Sequence, residues 1–163
     1  KNRDETLSFH YRQNGDTLNT RIDGVSRSRN VDITTEGPVW DVLSFQIPLM
    51  IEARPSKKQY PYMAVLGGEL DQYTFKLEGK KNARFAGKQY SLLEVVRRDS
   101  KKKRALHIWL APALNNLPMI IENYRDGELH SRMQLERVQF DQHPALQGNV
   151  NIDGENADQD FDE

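Results

Sequence analysis

The sequence predicts a mainly β protein: a curved antiparallel sheet or incomplete β-barrel with one short helix packed on it, then a disordered acidic C-terminal tail. Three observations carry this. Apolar and polar residues alternate over several short runs, the period of half-buried strands. Turn dipeptides such as Asn14-Gly15, Gly67-Gly68 and Asp126-Gly127 separate those runs. Only one stretch, Trp40 to Ile51, repeats its apolar residues at helical spacing.

In chain order, Thr6 to Arg12 places Leu7, Phe9 and Tyr11 on one face of a strand. Asn14-Gly15 turns the chain into a more polar return strand, Thr17 to Val25, with a weak continuation around Val31 and Ile33. Gly37-Pro38 punctuates. Trp40, Leu43, Ile47 and Ile51 then define a short amphipathic helix that Pro48 should end or kink. Tyr62 to Leu66 is a short strand closed by Gly67-Gly68, and Leu70 to Glu78 sets Tyr73, Phe75 and Leu77 on one face. Gly79 to Asn82 is expected to be a basic turn, and Gln89 to Arg97 the next strand. DSKKK, Asp99 to Lys103, is a hairpin tip. Arg104 to Ala111 and Leu117 to Tyr124 form the most apolar hairpin in the chain. Glu128 to Phe140 is expected to be a long last strand with room for a bulge. Residues 1–140 thus make one curved antiparallel β domain of about seven to nine strands. Residues 141–163 are too polar and acidic to offset their ordering entropy and are expected to be disordered.

Composition narrows the function. The 163 residues carry 23 basic and 24 acidic side chains, so no basic excess points to nucleic acid. Cysteine is absent, which removes disulfides, thiolate metal sites and cysteine nucleophiles. No run reaches the roughly 18 apolar residues of a membrane span. The chain begins at Lys1, as a processed or trimmed product would.

No catalytic or cofactor constellation is visible. His10, His107, His130 and His143 lack metal-ligand spacing, and no serine sits in a nucleophile elbow. Ser44, in the helix after Asp41, reads as a capping or packing residue. Glu69, Asp71, Glu94, Asp99 and Glu122 could pair for glycoside hydrolysis, but nothing singles out two of them. The basic groups Lys57-Lys58, Lys80-Lys81, Arg97-Arg98 and Lys101 to Arg104 fall at expected turns or strand ends and could form a basic rim. A helix laid on a curved sheet can leave an apolar cavity. Trp40, Leu43, Ile47, Tyr73, Phe75, Trp109 and Ile121 are its candidate lining.

Two segments carry a family likeness. One is Asp41, Leu43 and Ser44, opening the helix. The other runs from Leu106 to Leu129 and includes Ile108, Trp109, Leu110, Pro112, Leu117, Pro118, Glu122, Asp126 and Gly127. Over roughly residues 5 to 140 the chain resembles the domain of unknown function 3108 family of exported bacterial proteins. The resemblance implies a signal peptide in the precursor, a periplasmic or envelope location, and further strands before Lys1. It carries over no catalytic residues.

The expected function is therefore non-enzymatic binding of a lipid-like or amphiphilic ligand in a sheet–helix cavity of an envelope protein, with no cofactor and no metal. One alternative is a structural or protein-interaction module of the envelope acting through a sheet edge. A hydrolase on envelope polysaccharide is the other.

Overall fold

The computed structural model describes residues 4–41, 43–141 and 143–154. The chain is mainly β with one α-helix among these residues, and no sheet closes on itself. No helix here is long and apolar enough to cross a membrane. The single domain expected over 1–140 divides into two compact units: Lys1–Pro48 with Pro61–Thr74, and Leu49–Tyr60 with Phe75–Glu163.

The first unit holds a three-stranded antiparallel sheet of β1 (Glu5–Asn14), β2 (Thr17–Ser26) and β3 (Arg29–Glu36). Alternation puts Leu7, Phe9, Ile22 and Ile33 on its packed face, against Val39, Met63, Val65 and Leu70. At Gly24 the first two strands approach so closely that an added Cβ would lie 2.1 Å from the Thr6 carbonyl oxygen, and φ there is 149°. Only glycine suits that position. The Gly67-Gly68 turn brings Gly68 against Ser26 and Val31 at the same end of these strands, where Val31 is the register partner of Gly24.

The expected helix is shorter and later than its spacing suggests. Val39–Asp41 is strand β4, paired in parallel with β5 (Gln59–Leu66), and helix α1 spans Gln46–Glu52. Pro48 lies in its first turn, where an amide has no intrahelical partner to lose, so it neither ends nor kinks the helix. Of two rows with equal spacing, Phe45, Leu49 and Ala53 turn inward. Leu43 and Ile47, expected on the buried face, are 74% and 53% exposed. The Asn116 amide group donates to the Met50 and Ala53 carbonyls at 2.7 and 2.9 Å and closes the helix C-terminus.

Asp41 and Ser44 instead close a tight turn between β4 and α1. The Leu43 and Ser44 amides donate to Asp41 Oδ1 at 2.7 and 3.0 Å, and the Ser44 hydroxyl donates to Oδ2 at 2.6 Å. Partial burial alone would raise the Asp41 pKa; these hydrogen bonds outweigh it and leave the carboxyl below its ordinary value. A depressed folded pKa adds stability above the unfolded value that disappears as pH falls through the folded one. Wild type is thus expected to lose stability relative to Asp41→Asn as pH drops below about 4. Urea midpoints at pH 3 and pH 6 measure this.

The second unit is an antiparallel sheet in the order β10-β9-β8-β7-β6. Its strands are β6 (Glu69–Phe85), which begins in the first unit, β7 (Lys88–Asp99), β8 (Arg104–Ala111), β9 (Leu117–Arg125) and β10 (Glu128–Gln134). The basic turn expected at Gly79–Asn82 is absent. A register shift between Leu77 and Gly79 absorbs one residue, and β6 runs straight through, leaving Lys80 and Lys81 in mid-strand. The expected long last strand stops at Gln134, after a shift between Leu129 and Ser131. Arg137–Val138 (β11) instead pairs with Leu146–Gln147 (β12).

The boundary expected at residue 141 also moves. Asn151–Ile152 (β13) pairs with Arg84 and Ala83 of β6, and the Val150 and Ile152 side chains enter a core with Ala83, Phe85, Tyr90, Leu92, Trp109 and Ile120. Two buried aliphatic side chains supply what the average polarity of this segment hides. The rest of the expected tail, 155–163, lies outside the described residues. Ile152→Ala is expected to cost about 2–4 kcal/mol, read from urea unfolding.

Candidate functional site

On β7 the side chains of Leu92, Glu94, Val96 and Arg98 share one sheet face, because a strand repeats every two residues. Register carries that face across the sheet. Glu94 pairs with Trp109, and Trp109 with Ile120. Val96 pairs with His107, His107 with Glu122, and Glu122 with Arg132. Arg98 pairs with Ala105, and Ala105 with Tyr124. The face is therefore apolar around Trp109 and becomes polar toward the β7–β8 tip.

The polar part is a connected cluster. His107 Nδ1 lies 2.8 Å from Glu94 Oε1. An ionised carboxylate only accepts, so the proton resides on Nδ1. Glu122, directly opposite His107, is 4% exposed. It accepts from the Tyr124 hydroxyl at 3.1 Å and faces Arg132 Nη1 at 3.5 Å. The Tyr124 ring packs on the His107 ring with centroids 4.9 Å apart. A carboxylate this buried is tolerated because cation and hydroxyl partners satisfy it. One result is a Tyr124 side chain fixed at both its ring and its hydroxyl.

Tyr124 is also a wall of a groove of about 370 Å³. Arg98 and Ala105 line it from the same sheet face. Asp99, Ser100, Lys103 and Arg104 line it from the β7–β8 tip, and Asp126 and Gly127 from the β9–β10 turn. The Asp126 amide donates to the Lys103 carbonyl at 2.8 Å and ties the two tips together. Lys103 Nζ is 3.9 Å from Asp126, Lys102 Nζ is 3.8 Å from Asp99, and Arg98 pairs with Glu78. That last pair holds the Arg98 guanidinium charged even more firmly than usual.

The residues expected to line a cavity are divided between the two units. In the first unit Tyr73 is buried, Trp40 is half-buried, and Leu43 and Ile47 face solvent. In the second unit Phe75 and Trp109 are closed into packed interior. Ile121 pairs with Ile108 and so points away from the Trp109 face. Lys81 Nζ caps the Trp109 ring 4.9 Å from its centroid, while the buried indole N–H has no hydrogen-bond partner among the described residues. His10 pairs with half-buried Asp23 at 2.9 Å, and His130 and His143 are exposed. Among the described residues no three His, Asp or Glu side chains are arranged to hold a metal ion.

Sequence reasoning named Glu94 and Glu122 among carboxylates that could pair for hydrolysis and His107 as a histidine without metal-ligand spacing, and it joined none of the three. The signal was their parity: each shares alternation with an inward apolar neighbour, Leu92, Trp109 or Ile120. No family model matches the chain, and no curated protein or solved structure matches it.

Proposed function

We propose that this is a non-enzymatic binding protein that takes a small amphiphilic ligand in the groove at the tips of the β7–β8 and β9–β10 hairpins. The observation that carries the reading is the groove itself, about 370 Å³, with Tyr124 as one wall and charged side chains at its rim. A pocket of that size suits a small ligand, and an aromatic wall beside charges suits one with an apolar and a polar end. The Glu122–His107 cluster behind Tyr124 supports it, because a preorganised wall reduces the ordering cost of binding. The resemblance of Asp41–Phe45 and Leu106–Leu129 to exported bacterial proteins favours a periplasmic or envelope setting.

Native mass spectrometry of protein purified from its host, with displacement of an environment-sensitive dye, tests this. A bound amphiphile and a dye site lost in Tyr124→Ala are expected. A dye site that survives Tyr124→Ala, with no co-purified ligand, overturns it.

A second reading is an interaction module acting through the sheet edge. Strand β10 is the last in its sheet, every residue in it is exposed, and Leu129 and Met133 are 50% and 57% exposed. Such an edge can add a partner strand. A pull-down from envelope extract that Leu129→Lys/Met133→Lys abolishes would favour it.

A further inference from the structure

We infer that the outer edge of β1 pairs with the same edge of a second copy of this chain, antiparallel and centred on Phe9, so that two three-stranded sheets join edge to edge.

Strand β1 ends its sheet, and among the described residues no strand pairs with its outer side. It offers ten residues with an unbroken register to β2, and none of them is proline, glycine or lysine. Long edges in natural sheets are guarded by such residues or by a bulge, because their free amides and carbonyls recruit another strand.

The backbone fixes which residues can pair. The Arg27 amide donates to the Asp4 carbonyl at 3.0 Å, so the even-numbered residues of β1 direct their amides and carbonyls to β2. The odd-numbered ones, Glu5, Leu7, Phe9, Tyr11 and Gln13, direct theirs outward. An antiparallel copy must therefore match odd to odd. Centred on Phe9, it sets Phe9 opposite Phe9, Leu7 opposite Tyr11 and Glu5 opposite Gln13, with about ten backbone hydrogen bonds. Leu7 and Phe9 are half-buried and Tyr11 is 52% exposed, so the apolar face is incompletely covered at this edge. The alignment continues that face with apolar partners. On the other face Thr6 meets Arg12 and Ser8 meets His10, so no like charges oppose each other. Moving the centre to Ser8 or His10 leaves an apolar residue facing Glu5 or Gln13. A single pair of edges is a small interface, which makes the dimer concentration-dependent.

Amide exchange by NMR at rising concentration, with sedimentation equilibrium on the same samples, tests this. The Leu7, Phe9 and Tyr11 amides are expected to gain protection as the dimer forms. The Ser8 and His10 amides, already bonded to β2, should be protected throughout. Thr6→Lys places like charge opposite Arg12 twice in each dimer and should weaken it about tenfold; adding Arg12→Glu should restore it. Thr6 and Arg12 are exposed, so both variants are expected to fold, and protection at Ser8 and His10 verifies that they do. A monomer at every concentration overturns the inference, whether the three outward amides stay open or are protected by another segment of the same chain. A dimer indifferent to Thr6→Lys, or one that Arg12→Glu fails to restore, overturns the Phe9-centred pairing.

Discussion

Gly24→Ala is expected to destabilise the first unit by about 3–5 kcal/mol, combining steric overlap with an unfavourable backbone conformation. The new Cβ would sit 2.1 Å from the Thr6 carbonyl oxygen and 3.0 Å from the Leu7 Cα, and both atoms are backbone. Rotamer changes cannot relieve that overlap. The strands must separate, and with them goes the register that pairs Leu7 with Gly24 and Phe9 with Ile22. Hydrogen exchange measures the effect where it falls: amides of Glu5–Asn14 and Thr17–Ser26 should lose protection while those of Lys88–Asp99 keep theirs. Uniform loss over both units, or no loss, contradicts the local account. Gly15→Ala is the control. Its Cβ would meet nothing within 4 Å, although φ there is 58°, so only the backbone cost of roughly 1–2 kcal/mol is expected.

Glu122→Ala should cost about 2–3 kcal/mol and also weaken ligand binding. The carboxylate satisfies the Tyr124 hydroxyl and faces Arg132, whose side chain is partly exposed and can turn to water. That escape keeps the cost below that of a fully buried pair. The effect on binding separates a positioning role from a purely structural one. Tyr124 keeps its ring contact with His107 but loses its hydroxyl anchor, so the groove wall loosens. Glu122→Gln retains an acceptor for the hydroxyl and should recover most of the dye affinity, although it does not restore the charge that faces Arg132. Urea unfolding and dye titration on the same three proteins measure both effects. Affinity that follows stability alone, with no rescue by glutamine, would sink the positioning role.

Sequence reading succeeded where the information is local. Alternation located the strands around Leu7–Tyr11, Tyr73–Leu77 and Arg104–Ala111, and Asp126-Gly127 located a hairpin turn. It misjudged Trp40–Ile51 because the rows Leu43–Ile47–Ile51 and Phe45–Leu49–Ala53 have the same spacing. Which row turns inward is settled by tertiary packing, and the parallel pairing with β5 claims Val39–Asp41 as a strand. Lys80-Lys81 looked like a turn because a bulge at Glu78 carries no composition signal. The candidate site was hidden for a related reason. Parity alone puts Glu94, His107 and Glu122 on inward faces, but the β7–β8 and β8–β9 connections set the register that joins them. The groove depends further on how two hairpin tips meet, through the Asp126–Lys103 backbone hydrogen bond.

The pairing of β13 with β6 has a consequence for synthesis. Ala83 and Phe85 emerge from the ribosome long before Val150 and Ile152, the residues that complete their core. Until then this part of β6 has an apolar face and a strand edge awaiting a partner. Contacts so distant along the chain form late because loop closure must come first. The interval is a window in which the nascent chain can pair wrongly or be held by a chaperone, and it ends only when Ile152 arrives.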